Sequence, residues 1–199
     1  MTELLLVRHA LPQSGTSNPG LSDEGRNQAE RLAAWLGAEE IDAIVTSPMR
    51  RARETSALLE KALQFDAPVV PDLREWDRDV PAPALVYQAV EEMPSADPRA
   101  RAVTEGRYED FVPELDLPAF QARARDVLDQ VFDGWPVRRV VAVSHGGIIN
   151  AIVGAILQIP QVFWFVPGYT SVTRVERLAS GRTVVRSVND TGHLVGVRV

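Results

Sequence analysis

Two histidines in this chain each follow a short, fully apolar run: LLLV leads to Arg8-His9, and VVAV leads to Ser144-His145. Runs of that length bounded by turn-formers read as buried parallel strands. In an open parallel sheet, residues just past the strand ends line the crevice where ligands bind. The two imidazoles, far apart in sequence, are therefore placed to meet in one pocket. Arg8 sets a cation beside His9, which lowers the imidazole pKa by charge repulsion and favours the neutral, nucleophilic form. Gly146-Gly147 follow His145 and open a helical pattern, where glycine allows close backbone approach and new helix N–H groups suit an anion. Arg50, Arg51 and Arg53 crowd the first turns of another helical stretch, where the macrodipole disfavours cations by roughly 0.3–1 kcal/mol each. Glu54 offsets only part of that. Either all three are solvated surface, or at least one reaches an anion, for which an arginine fork is well shaped.

The elements that must hold these groups follow from the hydrophobic pattern. A strand at about 3–8 runs into the polar loop QSGTSNPG. Ser22 caps a helix whose Ala29, Leu32, Ala33 and Leu36 share one face, closed by Gly37. Ile41–Val45 reads as a second strand. Ser47-Pro48 starts the next helix, with serine as cap and proline in the first turn, and Ala52, Ser56, Leu59 and Leu63 as its inner face. Val69-Val70 forms a short strand that leads to Leu73-Arg74-Glu75. From Trp76 to Pro118 the pattern dissolves into proline- and acid-rich sequence in which only Ala84–Met93 looks helical. An irregular stretch of that size in a compact domain is a lid or a linker. Periodicity returns with a helix at Phe120–Phe132, a strand at Arg139–Ser144 and an all-apolar, hence buried, helix at Gly146–Leu157. A hairpin closes the sequence: Thr170–Arg177, a turn at Ala179-Ser180-Gly181, then Thr183–Asn189. The alternation predicts an α/β three-layer sandwich with a mostly parallel central sheet, an edge hairpin, and an irregular or helical cap insertion over 76–118.

Composition narrows the classes. At 199 residues the chain suits one domain, and 45% hydrophobic content supplies a packed core. A net charge of −6 argues against nucleic acid as a partner. There is no cysteine, which excludes disulfides, thiolate metal sites and thiol catalysis and fits a reducing, cytoplasmic setting. The opening MTELLLVRHA lacks a basic region ahead of its short apolar run, and Ile148–Leu157 is too short to span a bilayer, so a soluble protein away from membranes is expected.

The segments LLLVRHA, LSDEGRNQA, TSPMRRARET, LREWD, VVAVSHGG and the closing TSVTRVE and SVNDTGHL, in that order, resemble the histidine phosphatase superfamily, in the branch that contains the phosphoglycerate mutases. The resemblance covers most of the chain and leaves 76–118 unaligned. It implies that His9 is the nucleophile, becoming a phosphohistidine, and that Arg8, Arg51 and His145 hold the phosphoryl oxygens, with Gly146 beside them. Arg51 is singled out because the family pattern Ser-Pro-x-x-Arg-Ala falls on Ser47, Pro48, Arg51 and Ala52. Glu75 matches the acid that protonates the leaving oxygen and later activates water, and a raised pKa is expected for it. Two arginines and a histidine can do what a metal does elsewhere, so no metal and no cofactor are required.

The match has departures. Ala10, Pro12 and Gly15 stand where the family usually carries Gly, Thr and Asn, and the stretch that often follows the acid is missing after Trp76-Asp77. Gln13, Ser14, Thr16 or Asn18 are candidates to replace the loop's phosphate contacts. His193, in Asn189-Asp190-Thr191-Gly192-His193-Leu194, reads as structural, and Trp164 and Phe165 read as packing. Trp76, Tyr87, Arg99, Arg101, Arg107 and Tyr108 are candidates for the part of a substrate beyond phosphate. The leading expectation is a phosphomonoester hydrolase acting on a small phosphorylated molecule, as a monomer or homodimer. A phosphoglycerate mutase-type phosphotransferase is the alternative. A phospho-ligand binding module and a paired-histidine metal site are weaker readings, the first because the catalytic set is complete, the second because a third ligand at fitting spacing is missing.

Overall fold

The computed structural model describes residues 1–76, 93–94, 96–98, 101–102, 105, 107, 115–136 and 138–196. The expected cap over 76–118, with its helix at 84–93, lies largely outside the described residues, as do Tyr87, Arg99 and Tyr108. The elements run β1 (Thr2–Arg8), α1 (Asp23–Leu36), β2 (Ala43–Thr46), α2 (Arg50–Leu63), a 3-10 turn at Pro71–Leu73, α3 (Leu117–Gly134), β3 (Arg139–Ser144), α4 (Gly146–Leu157), β4 (Val172–Arg177) and β5 (Thr183–Asp190), with a last 3-10 turn at Gly192–Leu194.

The strands form one sheet in the order β2-β3-β1-β4-β5. β1 pairs in parallel with β3, and β3 with β2. β4 runs antiparallel to β1, and β5 antiparallel to β4, so only β4 opposes the common direction. This is the mostly parallel sheet with an edge hairpin that the pattern predicts.

Alternation along β1 explains the layers. Leu4 and Leu6 join one core cluster with Val127, Val131, Ile148 and Ile152 from α3 and α4. Leu5 and Val7 face the other way, into a cluster with Leu32 and Leu36 of α1 and Ala52 and Leu59 of α2. Helices thus cover both faces of a sheet whose central strands are apolar on each side. Burying a Leu or Ile side chain of this kind stabilises by about 1.5–3 kcal/mol, so the two clusters fix the sheet that carries the site.

One local expectation is corrected. α2 begins at Arg50 with Met49 in the cap position and no side-chain cap bond, so Ser47 is not its cap. The inner face expected of α2 is present: Ala52, Ser56 and Leu59 are buried with Arg51 and Thr55, and Leu63 packs half-buried against the same cluster. Among the described residues no helix is long and apolar enough to cross a membrane.

Candidate active site

Strand register brings the site together. Arg8 lies opposite Ser144 across the β1–β3 ladder, and the His9 N–H donates to the Ser144 carbonyl at 2.9 Å. One position further, His9 and His145 leave their strands side by side. On the other side of β3, the Ser47 N–H donates to the Val143 carbonyl at 2.9 Å, which places Ser47 at the same sheet edge. Three parallel strands therefore end level, and each delivers a polar side chain at its carboxyl end.

The two imidazole rings are 5.0 Å apart, centroid to centroid, and tilted by 59°. Both are buried, His9 with 2% of its surface exposed. His9 Nδ1 lies 2.8 Å from the Ala10 carbonyl, so Nδ1 carries the proton and Nε2 keeps its lone pair. Arg51 Nε donates to that Nε2 at 3.1 Å. Burial holds His9 well below the ordinary histidine value, Arg51 adds to this, and Arg8 contributes third. The lowering expected from Arg8 is thus present, although burial and Arg51 both outweigh it. His145 is pushed down as well, by burial first, then by Arg51, His9, Arg8 and Arg123. Its Nε2 is 2.7 Å from Ser47 Oγ, while its buried Nδ1 has no hydrogen-bond partner among the described residues.

The three arginines of the helix start separate sharply. Arg51 is 1% exposed and reaches the histidines, whereas Arg50 and Arg53 are exposed and Arg50 pairs with Glu54. Arg8 donates through one terminal nitrogen to the Pro167 carbonyl, and its guanidinium carbon lies 3.8 Å from the centre of the Tyr169 ring. That ring is 5.9 Å from His9.

Glu75 arrives from the segment after the 3-10 turn. Its Oε2 accepts from the Gly147 N–H at 2.8 Å and its Oε1 from the Trp76 N–H at 3.1 Å. The first turn of α4 thus holds the acid through Gly147. A Cβ at Gly147 would lie 2.4 Å from Glu75 Oε1 and 2.9 Å from Phe163, so glycine is needed for close approach. The segment is fastened from behind: Ser144 Oγ donates to the Leu73 carbonyl at 2.8 Å, and Arg123 of α3 donates to the carbonyls of Asp72 and Arg74 at 2.7 Å.

The loop after His9 departs from the family pattern and is held by helix side chains. The Ala10 N–H donates to Thr55 Oγ1 and the Leu11 N–H to Gln28 Oε1, both at 3.0 Å. Glu54 accepts from the Leu21 N–H at 2.7 Å. Asn18 accepts from the Arg50 N–H at 3.0 Å, which anchors the loop to α2. Sequence reading missed Ser47, Tyr169, Thr55 and Gln28. The i, i+4 spacing of Arg51 and Thr55 on one buried face was the available signal for the third. Arg101 and Arg107 are exposed, and Arg107 pairs with Glu105. Trp164 and Phe165 pack on each other with ring centres 4.5 Å apart. Among the described residues no three His, Cys, Asp or Glu side chains gather where they could hold a metal ion.

A doubly covered α/β sheet with paired histidines and arginines at its strand ends has known counterparts. The profile of the histidine phosphatase superfamily (branch 1) matches residues 4–191. The chain is 28% identical over 202 residues to phosphoserine phosphatase 1 of Hydrogenobacter thermophilus, covering 98% of this chain and 95% of that protein. It is 27% identical over 213 residues to the metal-independent phosphoserine phosphatase of Arabidopsis thaliana, covering 99% and 85%. A bifunctional protein of Mycobacterium tuberculosis is 30% identical over 97% of this chain, which spans 55% of that protein's length. Among solved structures, Bacillus stearothermophilus YhfR matches with a TM-score of 0.77 at 25% identity, over 98% of this chain and 100% of that one. The chain therefore belongs to branch 1 of the histidine phosphatase superfamily, as an enzyme of the phosphatase kind.

Proposed function

We propose that the chain hydrolyses a small phosphomonoester, with phosphoserine the first substrate class to try, through a phosphohistidine on His9 and without a metal. The observation that carries this reading is the state of His9. Its Nδ1 proton is committed to the Ala10 carbonyl, and its Nε2 lone pair sits 3.1 Å from Arg51 Nε in a buried site. A phosphoryl group reaching Nε2 draws the Arg51 donor from nitrogen onto its own oxygens. Arg8 and His145 take the others. We assign the Ser47 hydroxyl, which already accepts from the Met49 N–H, as donor to His145 Nε2. That leaves the orphaned Nδ1 as an N–H, aimed to serve an anionic oxygen.

In the first step the Nε2 lone pair forms the N–P bond as the P–O bond to the alcohol breaks, and the Glu75 carboxyl protonates the departing oxygen. In the second, the Glu75 carboxylate takes a proton from water, the hydroxide attacks phosphorus, and the N–P bond breaks to release phosphate. Covalent capture splits one hard step into two, and positioned cations stabilise charge on the transferring group. Gly146, next to His145 at the helix start, lies beside this group. The substrate class rests on the two phosphoserine phosphatases reported above, and a cytoplasmic setting on the cysteine-free sequence.

The test is a panel of phosphoserine, sugar phosphates, phosphoglycerates and nucleotides, read as phosphate release, together with acid-labile labelling of the enzyme. Release from phosphoserine with a labelled intermediate supports the reading. Isomerisation of a phosphoglycerate without net release of phosphate sinks it in favour of a mutase.

A further inference from the structure

The closing motif Asn189–His193 lies at the end of β5, outside the catalytic set, yet it grips the loop that holds Arg8. Asn189 Oδ1 accepts from the Gly168 N–H at 2.7 Å. His193 Nε2 is 2.9 Å from Thr170 Oγ1, and the His193 ring stacks on Trp35 of α1 with centres 5.3 Å apart and planes 25° apart. Tyr169, whose ring lies under the Arg8 guanidinium, runs between these two anchors, and Pro167, whose carbonyl accepts from Arg8, directly precedes the first. The same loop ties the backbone on both sides of the nucleophile: the Arg8 N–H donates to the Ser171 carbonyl at 3.1 Å and the Thr170 N–H to the His9 carbonyl at 3.4 Å.

The backbone shows that this grip has a cost. Thr170 sits at φ 56° and Asn189 at φ 58°. A left-handed asparagine is common, but a β-branched threonine there is an outlier. Such strain persists only where surrounding contacts over-determine the conformation, and it clusters at functional sites. Here the contacts on Thr170 are its N–H to the His9 carbonyl, its hydroxyl donating to the Tyr169 carbonyl at 2.7 Å, and the His193 ring, which meets that hydroxyl from the closing turn.

We propose that the Asn189–His193 turn is a positioning element for the phosphoryl-binding arginine: by clamping residues 167–171 at two points, it fixes the carbonyl and the aromatic face that orient Arg8. The inference rests on the reading of Arg8 as a phosphoryl ligand given above. His193 then acts through Thr170 and Tyr169 on Arg8, rather than only closing the fold.

The experiment is a set of double-mutant cycles on the full chain, read as competitive inhibition by inorganic phosphate and as kcat/KM for p-nitrophenyl phosphate, with thermal melts beside them. Asn189→Gly keeps a residue comfortable at its backbone angle and deletes only the acceptor. His193→Ala deletes the second anchor, and His193→Gln restores a hydrogen-bonding group. Asn189→Gly and His193→Ala should each weaken phosphate inhibition about fivefold in protein that melts as a single folded species, the factor expected for one lost hydrogen bond. His193→Gln should recover most of it. Combined with Arg8→Lys, both effects should vanish, because the group they orient has been removed. If Arg8→Lys alone leaves phosphate inhibition intact, the phosphoryl-binding reading fails. If Arg8→Lys weakens phosphate while the turn variants leave it unchanged or add in full, the positioning role is overturned. Should His193→Ala not fold, Asn189→Gly decides by the same criteria.

Discussion

The two ends of the central sheet both gather arginines from distant parts of the chain, and they treat the charge in opposite ways. At the end where β1 begins, Arg139 pairs with Glu3 at 2.6 Å and Glu39 at 3.4 Å. Arg174 joins the same two carboxylates, and Glu39 raises its pKa by hydrogen bonding. Cation meets anion there, and the cluster is electrically closed. At the end where β1 and β3 finish, Arg51 meets a neutral imidazole, and Arg8 meets a carbonyl and an aromatic face. Balanced charge ties elements together at the first end; at the second, Arg8 and Arg51 contact polarised groups beside the two histidines. Under the proposed function, the sheet carries ion pairs at one end of its strands and phosphoryl chemistry at the other.

Substitutions can break or sharpen that contrast. The largest effect belongs to His9→Ala, which should abolish acid-labile labelling and cut turnover by about 10⁴-fold or more, measured by phosphate release. Arg51→Ala should lower kcat/KM by about 10³-fold without lowering the melting temperature, since a buried cation serving a ligand costs the resting fold. A destabilised Arg51→Ala with normal kinetics would erase the contrast. Gly147→Ala should cost about 10²-fold in kcat by displacing Glu75, with KM little changed. At the opposite edge, Glu39→Ala should remove about 1–2 kcal/mol of stability in urea melts and leave kcat/KM alone, because the pairs are only half-buried.

The smallest effect is on pH dependence. His9 and His145 are held well below the ordinary histidine value of 6.5 in the folded state. The unfolded chain takes up their protons near 6.5 while the folded chain resists, so this contribution is complete above that pH and is lost as pH falls below it. Urea midpoints at about pH 8 and about pH 5.5 should differ in that direction. A midpoint that rises on acidification would show that the rings are not held neutral.

Much of this was legible in the residue order, and the parts that were not share one physical cause. Strand ends after LLLV and VVAV placed His9 and His145, because apolar runs and turn-formers are local signals. Arg139–Ser144 and Gly146–Leu157 fall where the pattern put them. Ser47 was misread because a serine before a proline is a good local cap, whereas its actual partner, His145, lies 98 positions away. The helix start at Gly146-Gly147 suits an anion by sequence, but that the Gly147 N–H goes to Glu75 is a tertiary contact with no sequence signature. The departures at Ala10 and after it go with Thr55 and Gln28, which hold that backbone from two distant helices. Likewise His193 reads as structural from its motif alone, and its reach to Arg8 runs through three intervening contacts. Strand-end chemistry survives in sequence, and with it the meeting of His9 and His145; partners set by side-chain reach across elements do not.

The pairing of β1 directly with β3 has a consequence for how the molecule acquires activity. Residues 3–8 find their ladder partners at 139–144, so the first strand waits for most of the chain before it has a neighbour on that side. Contacts so distant along the polymer make for slow, late closure. During synthesis His9 is therefore made early but remains without the His145 imidazole until the sheet's centre is complete, and under the proposed function a truncated product should carry His9 yet transfer no phosphate.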